Sequence, residues 1–278
     1  MIVRYNADLS GGDGRVYVPA APVAAPKSLA GGNGRMLVVL QFYHEEEERL
    51  RELVRLLVDL APSGQKNTDV MLSARYDTTA PKDVVENLKR KFNVWVHVCR
   101  RQAVGWPFGP NEQWFDTVTR INELRRTRVI PQYDCILTTE TDTCPMVVDW
   151  DRRLHAAYLR AGKSFVGCLV KAGTGSHING NMMISGSPKI LDWIARKGGC
   201  RANEGWDSVL SNEFQSLGWA GIPEIMSLWR YDFYGGEYRE EFVDTLLDSG
   251  VAWFHGCKTL DLIKLMRGRL VGRTIVRV

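Results

Sequence analysis

Glu140-Thr141-Asp142 is the stretch whose residue types and spacing most suggest chemistry. Alternate residues of an extended chain point to the same side, so both carboxylates face one way. Oxygen ligands arranged like this suit a hard divalent cation, Mg²⁺ or Mn²⁺, and such an ion takes up a diphosphate in turn. Alone, an acidic–x–acidic triplet also describes an ordinary solvated loop. A second stretch, "WFHGCKT", adds to it. His255 follows an apolar run and offers a neutral ring nitrogen to a metal. Gly256 lets backbone approach a ligand closely, and Lys258 supplies a point charge of the kind used on phosphates. Read alone, this is a polar turn before a helix. Read together, the two stretches predict a divalent-cation site of Glu140, Asp142 and His255 with Lys258 beside it.

The elements that must position these groups follow from periodicity. Tyr133 to Thr139 reads as a buried strand, and Pro145 forbids its continuation as a central one, so both acids emerge at its C-terminal end. In open α/β sheets ligands sit at that end. "MLVVLQF" is a continuous apolar run suited to a strand covered on both faces. The stretch after it, "EEEERLRELVRLLVDLAP", has helical spacing, acids in its first turn and Pro62 past its end. "DVMLSA" and "NVWVHVC" read as strands, "APKDVVENLKRKF" and the end of "GWPFGPNEQWFDTVTRINELRR" as helices. Further on, "VDWDRRLHAAYLRAG", "PKILDWIARKG" and "GWDSVLSNEFQSLGW" read as helices. "SFVGCLV", "HINGNMMIS" and "IPEIMSLW" read as extended, and "VAWFHGCKTLDLIKLMR" as strand, turn and helix. The alternation predicts an α/β fold, a mixed and mostly parallel sheet flanked by helices on both faces.

The 278 residues are 45% hydrophobic and 24% charged, ordinary values for a globular chain. Residues 1–35, rich in Gly, Ala and Pro, read as an arm, and residues 36–278 as one domain. Neither a membrane span nor a secretory leader is evident, so a cytoplasmic location is expected. The six cysteines lack any C-x-x-C and read as reduced core residues. A net charge of +4 is too mild to announce a nucleic-acid binder, although "KRKF", "CRRQ", "RRTR" and the closing "KLMRGRLVGRTIVRV" concentrate positive charge.

From about Met36 to Arg267 the sequence resembles the GT-A fold glycosyltransferases, which use nucleotide-sugar donors. Their D-x-D motif is matched by Glu140 and Asp142, with Glu in place of the commoner first Asp. "HINGNMMIS" is similar to the family's Asn-x-Gly strand facing donor sugar and acceptor, here Asn179-Gly180-Asn181. "FHGCK" resembles the late His and Lys that hold metal and diphosphate. "SARYDTT" is similar to its acidic base-and-ribose loop, which implies that Asp77, with Arg75 as the weaker candidate, contacts the nucleoside. Tyr43 then packs near the base. The resemblance implies a metal-dependent transferase, UDP-sugar being the family's commonest donor, acting on a glycan or a small molecule. In style the chain also resembles phage-encoded members that modify hydroxymethylated pyrimidines in DNA, which would set it in the host cytoplasm.

Sugar transfer by inversion needs a base for the acceptor hydroxyl. "EGWDSVLSNEF" offers Asp207, with Glu204 in reserve, because inverting members carry a carboxylate at the start of a comparable helix. Asp207 as a simple helix cap is the plainer reading. The His-Gly-x-Lys resemblance leans instead toward retention. Trp106 and Trp206, each beside a glycine, are expected to stack on a sugar or base. His177 points the same way along its strand as Asn179, but reads as a hydrogen-bonded core residue. Glu45 to Glu48 read as a solvated helix start. Two rival functions remain: a nucleotidyltransferase, against which the acidic "QFYHEEEE" after the first strand argues, and a non-catalytic nucleic-acid-binding protein.

Overall fold

The structure, a computed structural model, describes residues 34–61, 67–172, 175–200, 202–228 and 240–276. The expected arm therefore lies outside the described residues except for Gly34 and Arg35. The first strand, β1 (Met36–Phe42), shows why a continuous apolar run makes a central strand. Met36, Val38, Leu40 and Phe42 enter one apolar cluster, while Leu37 and Val39 enter another on the opposite face.

On the first face lie α1 (Glu47–Asp59), α2 (Lys82–Lys89), α4 (Trp150–Ala161), α8 (Glu240–Asp248) and α9 (Leu260–Val276). Residues of α3 (Phe108–Arg126) and α5 (Pro188–Lys197) close the second. Between them runs a seven-stranded sheet. Its further strands are β2 (Thr68–Ala74), β3 (Asn93–Val98), β4 (Cys135–Glu140), β6 (Phe165–Ala172), β7 (Gly175–Ser185) and β8 (Trp219–Gly221), in the order β3-β2-β1-β4-β7-β6-β8. All but β7 run the same way, since β7 pairs antiparallel with both β4 and β6. The expected mixed, mostly parallel sheet with helices on both faces is present.

A smaller three-stranded sheet joins β5 (Thr143–Pro145), β10 (Trp253–His255) and β9 (Ile225–Ser227), in the order β5-β10-β9. "IPEIMSLW" is thus a strand only over Ile225–Ser227. The stretch from Gly205 to Trp219 is not one helix. It forms α6 (Trp206–Val209) and α7 (Ser211–Leu217), divided at Leu210. Gly218, at φ +96°, then turns the chain out into β8, whose partner is β6. Only glycine takes that φ without strain, so a helical pattern ends in a strand there.

The connections place the site. Leaving β1 and β2, the chain forms α1 and α2 on one face; leaving β3 it crosses to form α3 on the other and returns as β4 beside β1. That reversal makes the C-terminal ends of β1 and β4 a topological switch point, and it is in the crevice at such a point that open α/β sheets take ligands. Among the described residues, no helix is long and apolar enough to cross a membrane. All six cysteines are free and buried.

Candidate functional site

β4 delivers Glu140 to that crevice, and backbone bonds shape the turn beyond it. The Glu140 N–H donates to Asn181 Oδ1 at 2.9 Å, which also accepts from the Thr139 hydroxyl at 2.8 Å. Thr143 Oγ donates to the Glu140 carbonyl at 2.7 Å, bending the chain back. The returning strand β5 pairs antiparallel with β10, setting Thr143 opposite His255. The Asp142 carbonyl accepts from the N–H groups of Gly256 at 3.0 Å and Cys257 at 2.7 Å. Gly256 sits at φ +147°, which a larger residue rarely adopts.

Glu140, Asp142 and His255 consequently each present one ligand atom, all within 4.8 Å of one another. His255 Nε2 lies 3.2 Å from Asp142 Oδ2, and its Nδ1 lies 2.8 Å from Ser227 Oγ. A serine hydroxyl donates or accepts, so Ser227 serves either tautomer; with Nδ1–H donated to it, Nε2 keeps its lone pair for a metal. Lys258 Nζ donates to Asp142 Oδ2. The other oxygen, Asp142 Oδ1, is buried without a hydrogen-bond partner among the described residues. A buried carboxylate oxygen lacking a donor is costly unless a cation meets it, so this set of O, O and N donors fits a divalent ion.

Electrostatics agree. Burial, then the negative charge of Asp142, raises the pKa of Glu140. Burial would raise Asp142 too, but His255 and Lys258 hold it well below the usual carboxylate range. The Lys258 ammonium, despite burial, is held up by Asp142 and Glu140.

The sequence reading assigned Glu45 to Glu48 to a solvated helix start, and for Glu46 the structure corrects it. Glu46 ends a short 3₁₀ turn, His44–Glu46, and its side chain is only 16% exposed. Its Oε1 accepts from Thr141 Oγ at 3.0 Å and from Arg49 at 2.8 Å. Burial pushes its pKa up to about 7, opposed by Arg49 and assisted by Glu140. Arg49 also donates to Thr141 Oγ at 3.2 Å and to the Lys258 carbonyl at 2.9 Å. One guanidinium thus ties the first turn of α1 to both segments of the site. Only its helical offset from Glu46, i,i+3, was visible in sequence, and nothing there pointed to Thr141.

At the ends of β1 and β2 stand the groups expected to meet the nucleoside. The guanidinium of Arg75 lies 4.8 Å over the Tyr43 ring and grips Asp77 with two bonds, of 2.6 and 2.7 Å. The three form one cluster, and His44 joins it through a 3.4 Å contact with Arg75. Asp77 is held below its ordinary pKa by that pairing.

Asp207 opens α6 against β7. Its Oδ2 accepts from the Gly180 N–H and its Oδ1 from the Ser208 N–H, each at 2.9 Å. So it caps a neighbouring amide and at the same time pins the Asn179-Gly180-Asn181 strand. A Cβ on Gly180 would lie 3.2 Å from Trp206, so a side chain there would push the indole back by a few tenths of an ångström. His177 Nε2 stands 3.9 Å from Asp207 Oδ2, placing His177 at the site's edge. Burial raises the Asp207 pKa against the opposing charge of His177, and Asp207 in turn helps raise Glu140. Asn179 Oδ1 accepts from the Asn181 backbone and side chain at 3.1 and 3.2 Å. Glu204 is exposed on the preceding turn, where its carbonyl accepts from Asn111.

The expectation for Trp206 is corrected: it is 6% exposed and stacks on Trp114 at 3.8 Å, a core contact. Packing against Trp114 and Phe214, rather than the adjacent Gly205, decides its place. Trp106, by contrast, is 73% exposed.

The sequence matches no protein-family model and none of the curated proteins. Among solved structures it is similar to TarS of S. aureus at 13% identity and TM-score 0.36, over 48% of this chain and 21% of that one. It is similar to the glycosyltransferase GlyE of Streptococcus pneumoniae TIGR4 at 13% identity and TM-score 0.47, over 80% of this chain and 54% of that one. It is also similar to the galactosyltransferase LgtC in complex with donor and acceptor sugar analogues, at 11% identity and TM-score 0.49, over 84% and 96% of the two chains. Likenesses this distant carry no argument about activity, which rests on the geometry of the site.

Proposed function

We propose that this chain is a metal-dependent glycosyltransferase moving a sugar from a nucleotide-sugar, a UDP-sugar first among them, to an acceptor hydroxyl. The observation that carries the reading is the buried Asp142 Oδ1, without a partner among the described residues, beside Glu140, His255 and Lys258 past the C-terminal end of β4. Four carboxylates, Glu46, Glu140, Asp142 and Asp207, act on one another there against the fixed charges of Arg49 and Lys258. Such a site calls for added positive charge.

Glu140, Asp142 and His255 would hold Mn²⁺ or Mg²⁺, which when bound supplies charge neutralisation to a leaving diphosphate. Lys258, three residues along from His255, adds a donor to the same phosphates. Tyr43, Arg75 and Asp77 would take the nucleoside at the ends of β1 and β2, and Asn179 with Gly180 would border the sugar. Asp207, desolvated and with its pKa raised, would accept the proton of the acceptor hydroxyl. That oxygen attacks the anomeric carbon as the bond from this carbon to the diphosphate oxygen breaks, its electron pair leaving on the nucleoside diphosphate. A single displacement of this kind inverts the anomeric centre.

The rival nucleic-acid reading draws less support. Arg100 is held by Asp116 and Glu123, Arg101 by Glu112, and Arg267 by Asp59. Charges already paired with neighbours add little to phosphate binding. Hydroxymethylpyrimidine DNA, the acceptor suggested by the phage-type resemblance, accordingly enters as one acceptor among those assayed.

The test is a donor-hydrolysis screen across nucleotide sugars with Mn²⁺, coupled to thermal denaturation. At least one donor is turned over, and its nucleoside diphosphate with Mn²⁺ raises the midpoint as binding to the folded state alone requires. Asp207→Asn retains that shift and loses transfer. No shift with any nucleoside diphosphate and Mn²⁺ refutes the function; full transfer by Asp207→Asn refutes the base.

A further inference from the structure

Of the large hydrophobic residues described, Trp106 is the most exposed, and its place in the fold is specific. A Cβ at Gly205 would fall 3.2 Å from the Trp106 ring and 2.6 Å from Asp207 Oδ1, so indole and carboxylate flank the same missing side chain. Neither is there by slackness. The Gly109 N–H donates to the Gly105 carbonyl at 2.7 Å and the Asn111 N–H to the Pro107 carbonyl at 3.0 Å, closing the loop around Trp106 onto the start of α3. Asn111, fully buried, then joins this loop to the Asp207 segment, donating to the Glu204 carbonyl at 3.0 Å and accepting from the Trp206 N–H at 2.8 Å. Val104, 56% exposed, and Phe108, 41% exposed, share this loop with Trp106, and large apolar side chains exposed as a group rather than singly mark a binding surface.

We infer that Trp106 is the platform on which the acceptor docks, and that the acceptor is a carbohydrate whose pyranose ring lays its C–H face on the indole with a hydroxyl turned to Asp207. This rests on the glycosyltransferase reading above. The nucleoside cluster of Tyr43, Arg75 and Asp77 lies at the ends of β1 and β2, whereas Trp106 adjoins α6 and, through Asp207, the Gly180 strand. The platform is therefore on the side of the group that receives the acceptor's proton. Charge selects the ligand class. Residues 102–109, QAVGWPFG, carry no charged side chain. The arginines just before them are tied to Asp116, Glu123 and Glu112, and the exposed residue adjoining Gly205 in sequence is the acidic Glu204. A nucleic acid stacking here would bring phosphates to a loop without a charged side chain of its own, while a neutral sugar brings an apolar face and hydroxyls whose hydrogen bonds a carboxylate accepts.

The test pairs two readouts on wild type, Trp106→Ala and Trp106→Phe. In the first, saturation-transfer NMR follows methyl glucosides and galactosides, lactose, cellobiose, maltose and chitobiose, in parallel with a hydroxymethylcytosine oligonucleotide. At least one saccharide binds wild type with transfer concentrated on the C–H protons of one ring face. Its affinity falls at least about tenfold in Trp106→Ala and is largely kept in Trp106→Phe, as removal or retention of an aromatic contact dictates. The second readout is nucleotide-sugar hydrolysis with Mn²⁺, whose donor KM stays within about twofold of wild type in Trp106→Ala, since the ring borders Gly205 and Asp207 rather than the Tyr43, Arg75 and Asp77 cluster that would hold the nucleoside. Saccharide binding that ignores Trp106, binding of the oligonucleotide in its stead, or a donor KM that rises with the substitution each overturns the proposal. Absence of donor hydrolysis in wild type refutes the glycosyltransferase reading instead, and leaves the saccharide measurement to decide the platform separately.

Discussion

Arg49→Met tests whether one side chain holds the candidate site together. Methionine keeps the apolar stem and removes three hydrogen bonds: to Thr141 Oγ, to the Lys258 carbonyl and to Glu46 Oε1. All three have the ionised guanidinium as donor; the two to neutral oxygens are worth about 1 kcal/mol each at least, and the one to the Glu46 carboxylate roughly 1.5–3 kcal/mol. The side chain is 21% exposed, so solvent weakens this little, and the loss is about 3–5 kcal/mol. In a chain of this size each kcal/mol moves the midpoint by about 2–4 °C, giving a fall on the order of 10 °C. The sign of the pH dependence is fixed by Glu46. Its folded-state pKa is already raised to about 7, and losing Arg49 raises it further. Below about 7 the carboxyl is protonated in both folded proteins and the ion-pair part of the cost vanishes; above it the variant alone pays for a buried charge without a partner, so the gap widens. Because the guanidinium also aligns the Glu140–Asp142 and His255–Lys258 segments, Mn²⁺ affinity by titration calorimetry falls about tenfold, or roughly 1.4 kcal/mol. A stability loss with unchanged Mn²⁺ affinity reduces Arg49 to a structural residue. A larger loss at acid than at alkaline pH refutes the coupling to Glu46.

Mn²⁺ affinity itself rises with pH through about 7, because Glu46 at about 7 and the raised Glu140 must shed protons as the ion arrives. Calorimetry in two buffers of different ionisation enthalpy detects that release, and a flat affinity between about pH 6 and 8 contradicts it. Asn181→Ala leaves the Glu140 N–H without its acceptor in a buried setting and reduces the Thr139 hydroxyl to its 2.9 Å contact with Thr143 Oγ. It costs about 2–4 kcal/mol by denaturant titration and weakens Mn²⁺ binding, and a neutral result shows that water replaces the amide.

Local sequence determined the elements and the two halves of the site separately. A run such as Met36 to Phe42 must be covered on both faces to hide its side chains, and Glu140 and Asp142 had to follow where the apolar strand stopped. His255-Gly256-x-Lys258 ended the last strand for the same reason. What tertiary structure alone decided is which of these ends meet. Asp142 and His255 are 113 residues apart, and only the pairing of β5 with β10 brings them to 3.2 Å. Glu46 and Arg49 wear the pattern of a solvated helix, and became part of the site because α1 starts where β4 ends. Trp106 and Trp206 had equivalent sequence surroundings, each beside a glycine, yet one is exposed and the other stacked in the core. Periodicity records whether a residue is buried by its own element's packing; it carries no information on which distant element arrives to cover it, and catalytic groups converge through that second kind of contact.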